Sequence, residues 1–336
     1  MIKILNWILK RTLSTSSLRI NENEVNYLNY NRNYALGDPH YILNPWWVTG
    51  ICDGEGNFSV SISKGLTRQK IAITFKIDQK EDSAGILYDL QRFFNCGIVV
   101  LDRRGYKSYK VSNIKDIVET ILPHFDKYTL MTSKQLNYLA FRKIAHLLLN
   151  KEHNESKGLE TIIDLVKNMN SRRNFLDKWS FLNTRTETKL DPHWLQAFID
   201  GEGSFQFGIA TRISRGKPYF ATTPTLEIAQ NTHDVKVLKW IKDFFDGGYL
   251  KPKYDITNIE EVTSVRGVSR YVLRNSDLII NFINSYPMLT RKQEDYILWK
   301  KLVYLKKERA FETIEGRKLM ETIKASMNKG KYISNS

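Results

Sequence analysis

Two glutamates, Glu55 and Glu202, occupy the same short acidic turn, DGEG, at residues 53–56 and 200–203. The segments around them align without a gap, WWVTGICDGEGNF at 46–58 and HWLQAFIDGEGSF at 193–205, pairing Trp47 with Trp194, Asp53 with Asp200 and Phe58 with Phe205. In each segment a small residue recurs at the fourth position, Gly50 and Gly54 in the first, Ala197 and Gly201 in the second. On helices these residues form one stripe, which lets two backbones approach closely. Helices packed on that stripe bring Glu55 and Glu202 together at their C-terminal ends, where the macrodipole already disfavours negative charge and where the two carboxylates repel each other. The arrangement makes electrostatic sense if cations occupy the gap. Mg²⁺ suits carboxylate and backbone carbonyl oxygens and retains waters, one of which could attack a phosphodiester. A single DGEG is also an ordinary helix-to-strand turn; its recurrence in matching context favours chemistry.

The elements that must position these acids are themselves duplicated. FKIDQKED at 75–82 corresponds to LEIAQNTHD at 226–234, LQRFFNCG at 90–97 to IKDFFDGG at 241–248, YKVSN at 109–113 to YVLRN at 271–275, and TLMTSKQLNY at 129–138 to PMLTRKQEDY at 287–296. The offset far exceeds the roughly 20–50 residues of solenoid repeats, so each copy opens a domain-sized half. Asn44 and Pro45 predict a helix start, with Gly54 and Gly56 turning the chain at its end. Phe58, Val60 and Ile62 alternate with Ser59, Ser61 and Ser63, and residues 71–77 alternate likewise, which predicts two strands with one polar face. A helix over 82–94, strands over 97–102 and 105–112, and helices over 114–122 and 133–149 complete an α, β, β, α, β, β, α order. The second half repeats it, with a helix over 233–245, strands near 248–253 and 262–275, and helices after Ser276. The expected class is α+β, two pseudo-symmetric halves joined through the motif helices. The expected boundaries are a leader at 1–43, a first domain at 44–150, a structured linker at 151–190 carrying a basic loop around Arg172 and Arg173, a second domain at 191–310 and a basic tail at 311–336.

Lys and Arg outnumber Asp and Glu by 51 to 36, a net charge of +15, so a polyanionic partner is the first expectation. Ribosomal and membrane-surface proteins share that bias, so charge alone does not name the partner. The 42% hydrophobic and 12% aromatic content calls for packed cores rather than a disordered basic chain. No apolar run approaches the roughly 18 residues of a membrane span. Cys52 and Cys96 are too few for a disulfide framework and, without a Cys and His cluster, do not make a zinc site. The first residues, with Lys3, Lys10, Arg11 and Arg19 and no acid before Glu22, read either as a mitochondrial presequence or as a leader translated from upstream sequence.

The paired segments resemble the two signature helices of the LAGLIDADG homing endonucleases, with VTGICDGEG and LQAFIDGEG standing where the signature stands. The resemblance covers residues 44–305 and includes both motifs, their separation and the downstream blocks. It implies two saddle-shaped antiparallel sheets lying in the DNA major groove and a Mg²⁺-dependent cut of both strands near the middle of a long site. It also implies that Glu55 and Glu202 are metal ligands, one per active site, that Gly54 and Gly201 lend backbone carbonyls, and that Gln79 and Gln230 order active-site waters. A basic residue commonly assists; Lys134 and Lys292 stand near that region, with Thr132 and Thr290 as alternative occupants. Asp53 and Asp200 read as structural, and Trp47 and Trp194 as core.

The polar strand faces are the expected DNA readers: Ser59, Ser61, Ser63, Lys70, Thr74 and Lys76 in one half, Ser204, Gln206, Arg212, Thr225 and Glu227 in the other. The halves differ at nearly every such position, so the expected site is asymmetric and the active species a monomer. Arg215 and Lys217 in one loop, with the stretch at 103–110, are expected to grip phosphates. Lys107, Lys110, Arg270 and Arg274 join the same basic surface, or form only a solvated face. The function that follows is an intron-encoded, mitochondrial, site-specific DNA endonuclease. The runner-up is an RNA maturase of the same fold acting on its host intron RNA. The third reading is a non-catalytic DNA-binding protein, against which two intact acids count.

Overall fold

Asn44 and Asp191 each accept a backbone N–H two residues on, from Trp46 at 2.9 Å and His193 at 2.8 Å, and a proline follows each cap. These caps start the two motif helices of the computed structural model, which describes residues 42–64, 69–101, 105–186, 189–265 and 267–328. In the first half α1 (Pro45–Glu55) leads into β1 (Gly56–Lys64), β2 (Gln69–Lys80), α2 (Gly85–Phe94), β3 (Ile98–Leu101), β4 (Tyr106–Val111), a helical run over 114–127, and α3 (Lys134–Leu149). Next come α4 (Ser156–Lys167) and α5 (Phe175–Thr184). The second half runs α6 (Pro192–Glu202), β5 (Gly203–Ser214), β6 (Lys217–Asn231), α7 (Val235–Phe245), β7 (Tyr249–Lys251), α8 (Ile259–Ser264), β8 (Val268–Leu273), α9 (Ser276–Ser285), α10 (Lys292–Lys307) and α11 (Ile314–Ser326). Each half holds a four-stranded antiparallel sheet, ordered β1-β2-β4-β3 and β5-β6-β8-β7. No helix among the described residues is long and apolar enough to cross a membrane.

Register decides what each sheet face does. Phe58 stands opposite Phe75 and Ile77 opposite Tyr109, and all four are buried with Phe125, Tyr138 and Phe141 under the first sheet. Phe205, Leu226, Ile228, Tyr271 and Trp299 form the equivalent core. Burial of one such side chain stabilises by about 1.5–3 kcal/mol, so the helix-facing side holds each sheet in place. The opposite face carries the alternating polar residues.

The two halves meet along α1 and α6. A Cβ at Gly50 would overlap the Trp194 carbonyl and lie 2.9 Å from the Ala197 Cβ; one at Gly54 would lie 3.6 Å from the Gly201 Cα. Asp53 ties the interface together. It accepts the Met131 N–H at 2.8 Å, the Thr132 N–H at 3.1 Å, the Thr132 hydroxyl at 2.6 Å and, from the other half, the Trp194 indole N–H at 2.8 Å. Asp200 accepts the Leu289 and Thr290 N–H groups at 2.7 and 3.3 Å and the Thr290 hydroxyl at 2.6 Å. Further bonds cross the interface: Ser133 N–H and hydroxyl donate to Asp234 at 2.9 and 3.2 Å, and Arg291 pairs with Asp82.

Several expectations change. Gly54 lies inside α1, and Gly56 has φ −75°, so neither makes a left-handed turn. Glycine is required at 56 because a Cβ there would run into the Cys52 sulfur and carbonyl, just as one at Gly203 would meet Ile199 Cγ2 at 2.7 Å. The strand expected over 262–275 is shorter: Asn258 accepts the Glu260 N–H at 2.9 Å and caps α8, whose first turn carries Glu260 and Glu261, before β8 begins. The expected linker at 151–190 and basic tail at 311–336 are also revised. After α3 and α10 the chain repeats itself once more, through a left-handed residue (Lys151, φ 60°; Arg309, φ 59°), a 3-10 turn, a helix and a left-handed asparagine (Asn170, φ 56°; Asn328, φ 57°). Asn170 donates to the Phe58 carbonyl and Asn328 to the Phe205 carbonyl, both at 3.1 Å. Ile162, Val166 and Met169 join the first core, and Met320, Ile323 and Met327 the second. The repeat therefore ends at 170 and 328, and the segment between the halves contains α5, whose Leu182 sinks into the second core. Basic residues at every turn of 314–326 conceal the apolar spacing; the matching Met-Asn pairs at 169–170 and 327–328 are the sequence signal. The leader expectation for 1–43 falls almost wholly outside the described residues.

Gly50→Leu and Ala197→Leu are each expected to lose about 1–3 kcal/mol or more of stability in urea unfolding, because the backbones must separate. Asp53→Ala leaves buried donors on Met131, Thr132 and Trp194 without their acceptor, at about 1–3 kcal/mol for each group left unsatisfied and less than additively. It should cost more than Asp200→Ala, since no indole of the described residues donates to Asp200. A pH scan tests another buried group. His124 lies among Phe93, Phe94, Phe125 and Tyr128, and burial draws its pKa from 6.5 down to about 3. The unfolded chain then binds the proton first as pH falls, so stability present above about 6.5 declines towards 3, and His124→Gln should flatten that part of the profile.

Candidate active site and nucleic-acid interface

The close helix contact carries Glu55 and Glu202 to one place. Each reaches the glycine of the opposite helix: a Cβ on Gly54 would lie 3.7 Å from Glu202 Oε1, and one on Gly201 would lie 3.9 Å from Glu55 Cγ. Burial pushes the Glu202 carboxyl above its ordinary pKa and the Glu55 charge pushes it further, while Lys134, Lys292 and a hydrogen bond from Gln230 pull it back. Glu55 is exposed and Glu202 half-buried, so the two-fold is imperfect at its centre.

Gln79 and Gln230 continue the helix-facing side of β2 and β6 past Ile77 and Ile228, which aims them at the ends of the motif helices. Gln230 bonds Glu202, and Gln79 lines a recess with Glu55, Asp78, Gly201, Thr290 and Lys292. Of the two alternatives for the basic residue, the lysines are at the site. Lys134 Nζ donates to the Cys52 and Gly54 carbonyls at 2.7 and 3.1 Å, and Lys292 Nζ to those of Ile199 and Gly201 at 2.9 and 3.2 Å. A cation there complements the negative end of each helix dipole. Thr132 and Thr290 instead bind Asp53 and Asp200, and so anchor the loops from which the lysines project. Burial raises the Asp200 carboxyl to about 6 despite its donors, and Asp53 shifts in the same direction. Both belong to the scaffold.

The donor set suits a hard divalent cation. No group of three or more His, Cys, Asp or Glu gathers among the described residues. What converges is two carboxylates and the carbonyls of Gly54 and Gly201. Each carbonyl oxygen keeps a second lone pair after accepting from a lysine. Carboxylate and carbonyl oxygens, completed by water, make the all-oxygen donor set that hard divalent cations take.

On the far side of the sheets, Ser59 stands opposite Thr74, Ser61 opposite Ala72, Ser63 opposite Lys70, and Lys76 opposite Lys110. Lys76 also pairs with Asp78 at 2.6 Å. In the second sheet Ser204 faces Glu227, Gln206 faces Thr225 and Arg212 faces Tyr219, and Glu227 pairs with Arg270 at 3.0 Å. Arg215 and Lys217 are exposed at the tip of the β5–β6 hairpin, and Arg274 lies 5.4 Å over the Tyr249 ring beyond β8. Two expectations need correction. Thr225 shares this face but is buried, a short side chain on an inner strand with the longer Gln206 across from it. Lys107 is on the helix-facing side, where it lies over Tyr88 at 5.5 Å. Within the loop at 103–110, residues 103 and 104 fall outside the described residues. The sequence reading missed the Ser133–Asp234 and Arg291–Asp82 contacts beside the site; the signal was the polar residue following the threonine in both copies of the block.

A family model described as LAGLIDADG endonuclease matches residues 48–145 and 195–303. Probable intron-encoded endonuclease 3 of Neurospora crassa is 26% identical over 288 residues, 82% of this chain and 52% of that protein. Probable intron-encoded endonuclease 2 of the same organism is 28% identical over 311 residues, 85% of this chain and 65% of that protein. The chain thus spans between half and two thirds of the length of these relatives. Among solved structures, the I-SmaMI LAGLIDADG homing endonuclease bound to cleaved DNA is similar with a TM-score of 0.74 at 27% identity, covering 88% of this chain and 99% of that one. The I-LtrWI LAGLIDADG homing endonuclease bound to target DNA is similar with a TM-score of 0.72 at 25% identity, covering 85% and 97%. Since the matched regions take in most of both motif helices, both acids and the whole of both sheets, the chain belongs to the LAGLIDADG endonuclease family.

Proposed function

We propose that the chain is a site-specific DNA endonuclease that cuts both strands of a long, asymmetric duplex site with the help of Mg²⁺. The observation that carries this reading is the convergence of Glu55 and Glu202 between two sheets whose outward faces are basic and unlike each other. Glu55 and Glu202, with the Gly54 and Gly201 carbonyls, would hold the metal. A bound divalent cation supplies Lewis-acid activation of water and phosphate. Gln79 and Gln230 orient the water that attacks. Lys134 and Lys292 balance the charge that builds on the phosphate as it is attacked, a preorganised electrostatic role. The sheet faces hold the duplex in register, with Lys76, Lys110, Gln206 and Arg212 on base edges and Arg215, Lys217, Arg270 and Arg274 on phosphates.

Both acids lie in one chain, so a monomer suffices and the two half-sites need not be palindromic. The relatives' names describe intron-encoded proteins, and a similar Saccharomyces cerevisiae protein is called mitochondrial, which supports a mitochondrial intron as the coding location.

The test is cleavage of supercoiled plasmid carrying a target recovered by binding-site selection. Wild-type protein should give linear product in Mg²⁺ and none with chelator. Glu55→Gln and Glu202→Gln should each lower double-strand cutting by about 100-fold or more, the scale of losing one electrostatic stabiliser of a transition state, while binding persists. Linear product at the wild-type rate from either variant would overturn the assignment of one acid to each strand.

A further inference from the structure

The first sheet turns two apolar side chains towards the same side as its lysines. β3 is the edge strand, and its register with β4 puts Ile98 opposite Lys110 and Val100 opposite Ser108. Lys110 is in turn opposite Lys76, and Ser108 opposite Asp78. Ile98 and Val100 therefore share the outward polar face, while Val99 between them packs on the core. Ile98 is 58% exposed.

A lone exposed isoleucine is unremarkable on most surfaces. Here it sits on the rim of a face otherwise built of Ser59, Ser61, Thr74, Lys76 and Lys110, on an edge strand, where exposed apolar residues invite wrong pairing. The chemistry of that face limits what an alkyl group can do on it. In the major groove the base edges present one alkyl group, the 5-methyl of thymine, beside their hydrogen-bond donors and acceptors. The equivalent position in the second sheet is Tyr249, opposite Val272 and covered by the Arg274 guanidinium, so the two halves are not built to read the same base there.

We propose that Ile98, backed by Val100, is a specificity-determining residue that contacts the 5-methyl group of one thymine in the first half-site, beside a base pair whose acceptor atoms lie within reach of Lys110. The inference rests on the reading that the outward sheet faces lie on DNA. Its thermodynamic signature is apolar: removing the methyl from the base and removing the alkyl from the protein eliminate the same contact, so the two losses do not add.

The test uses a duplex recovered by binding-site selection with the wild-type protein, held uncut in Ca²⁺, in which each thymine is replaced singly by deoxyuridine, which lacks only the methyl. Wild-type binding should weaken about fourfold at one thymine of the first half-site, the worth of about one methyl or methylene removed from water. In Ile98→Ala that thymine should become indifferent to the replacement while other positions keep their wild-type ratios. The surface position predicts a wild-type melting temperature for the variant. Equal deoxyuridine ratios in both proteins at every thymine would overturn the proposal, as would a concentration-dependent dimer of the free protein that Ile98→Lys abolishes, which would assign the strip to self-association. Selections with Lys110→Ala and Gln206→Ala separate the two levels of inference. If they change base preference locally while Ile98 does not matter, the methyl contact alone fails; if neither changes any preference, the sheets do not read DNA.

Discussion

The distance between two helix backbones governs this molecule. Gly50 lies so close to the Trp194 carbonyl that no side chain fits between them, and one turn further along a Cβ on Gly54 would lie 3.6 Å from the Gly201 Cα. That approach brings Glu55 and Glu202 to one point, and it joins two halves that each have their own core. Any side chain at Gly50, or one larger than alanine at Ala197, would move the carboxylates apart together with the sheets. The placement of the two glutamates and the assembly of the halves thus depend on one contact, and neither can be varied independently along it.

Two like charges at the negative ends of two helix dipoles are unfavourable unless something answers them. The scaffold answers in part through Lys134 and Lys292, whose ammonium groups sit on the last carbonyls of α1 and α6. Those lysines are aimed by the loops that Asp53 and Asp200 hold through Thr132 and Thr290. In each half one buried carboxylate thus positions the loop that brings a cation to the paired glutamates. The carboxylate oxygens of Glu55 and Glu202, left facing each other, are of the hard type that suits a divalent cation.

The duplication is strict in the scaffold and relaxed where contacts are made. The left-handed asparagines Asn170 and Asn328 make the same bonds to Phe58 and Phe205, and Thr132 and Thr290 the same bonds to their aspartates. Elsewhere symmetry lapses. Trp194 donates to Asp53 across the interface, whereas the buried Trp47 indole N–H has no hydrogen-bond partner among the described residues. The cross-interface links are Ser133 to Asp234 on one side and Arg291 to Asp82 on the other. On the sheet faces Lys110 corresponds to Val272 and Ile98 to Tyr249. Backbone geometry tolerates little change under a repeated fold, while an outward side chain answers only to what it touches.

The α+β class, the two halves, the motif helices and the paired glutamates were legible in the amino-acid sequence, because each rests on local spacing: small residues four apart, apolar residues two apart, and caps directly before prolines. The polar and apolar faces of β1 and β2 were legible for the same reason, since alternation along a strand assigns a face before any partner is known. Tertiary structure alone decided what depends on residues distant in the chain. It decided that lysine rather than threonine enters the site, because Asp53 and Asp200 claim the threonines from some eighty to ninety positions away. It showed that Gly56 and Gly203 are glycine for want of room beside Cys52 and Ile199 rather than for a left-handed turn. It assigned 151–170 and 309–328 to the repeats, because the apolar spacing of a short helix reveals its role only against the core that receives Ile162 or Met320. Local pattern determines an element and its faces; only packing determines which distant group completes it.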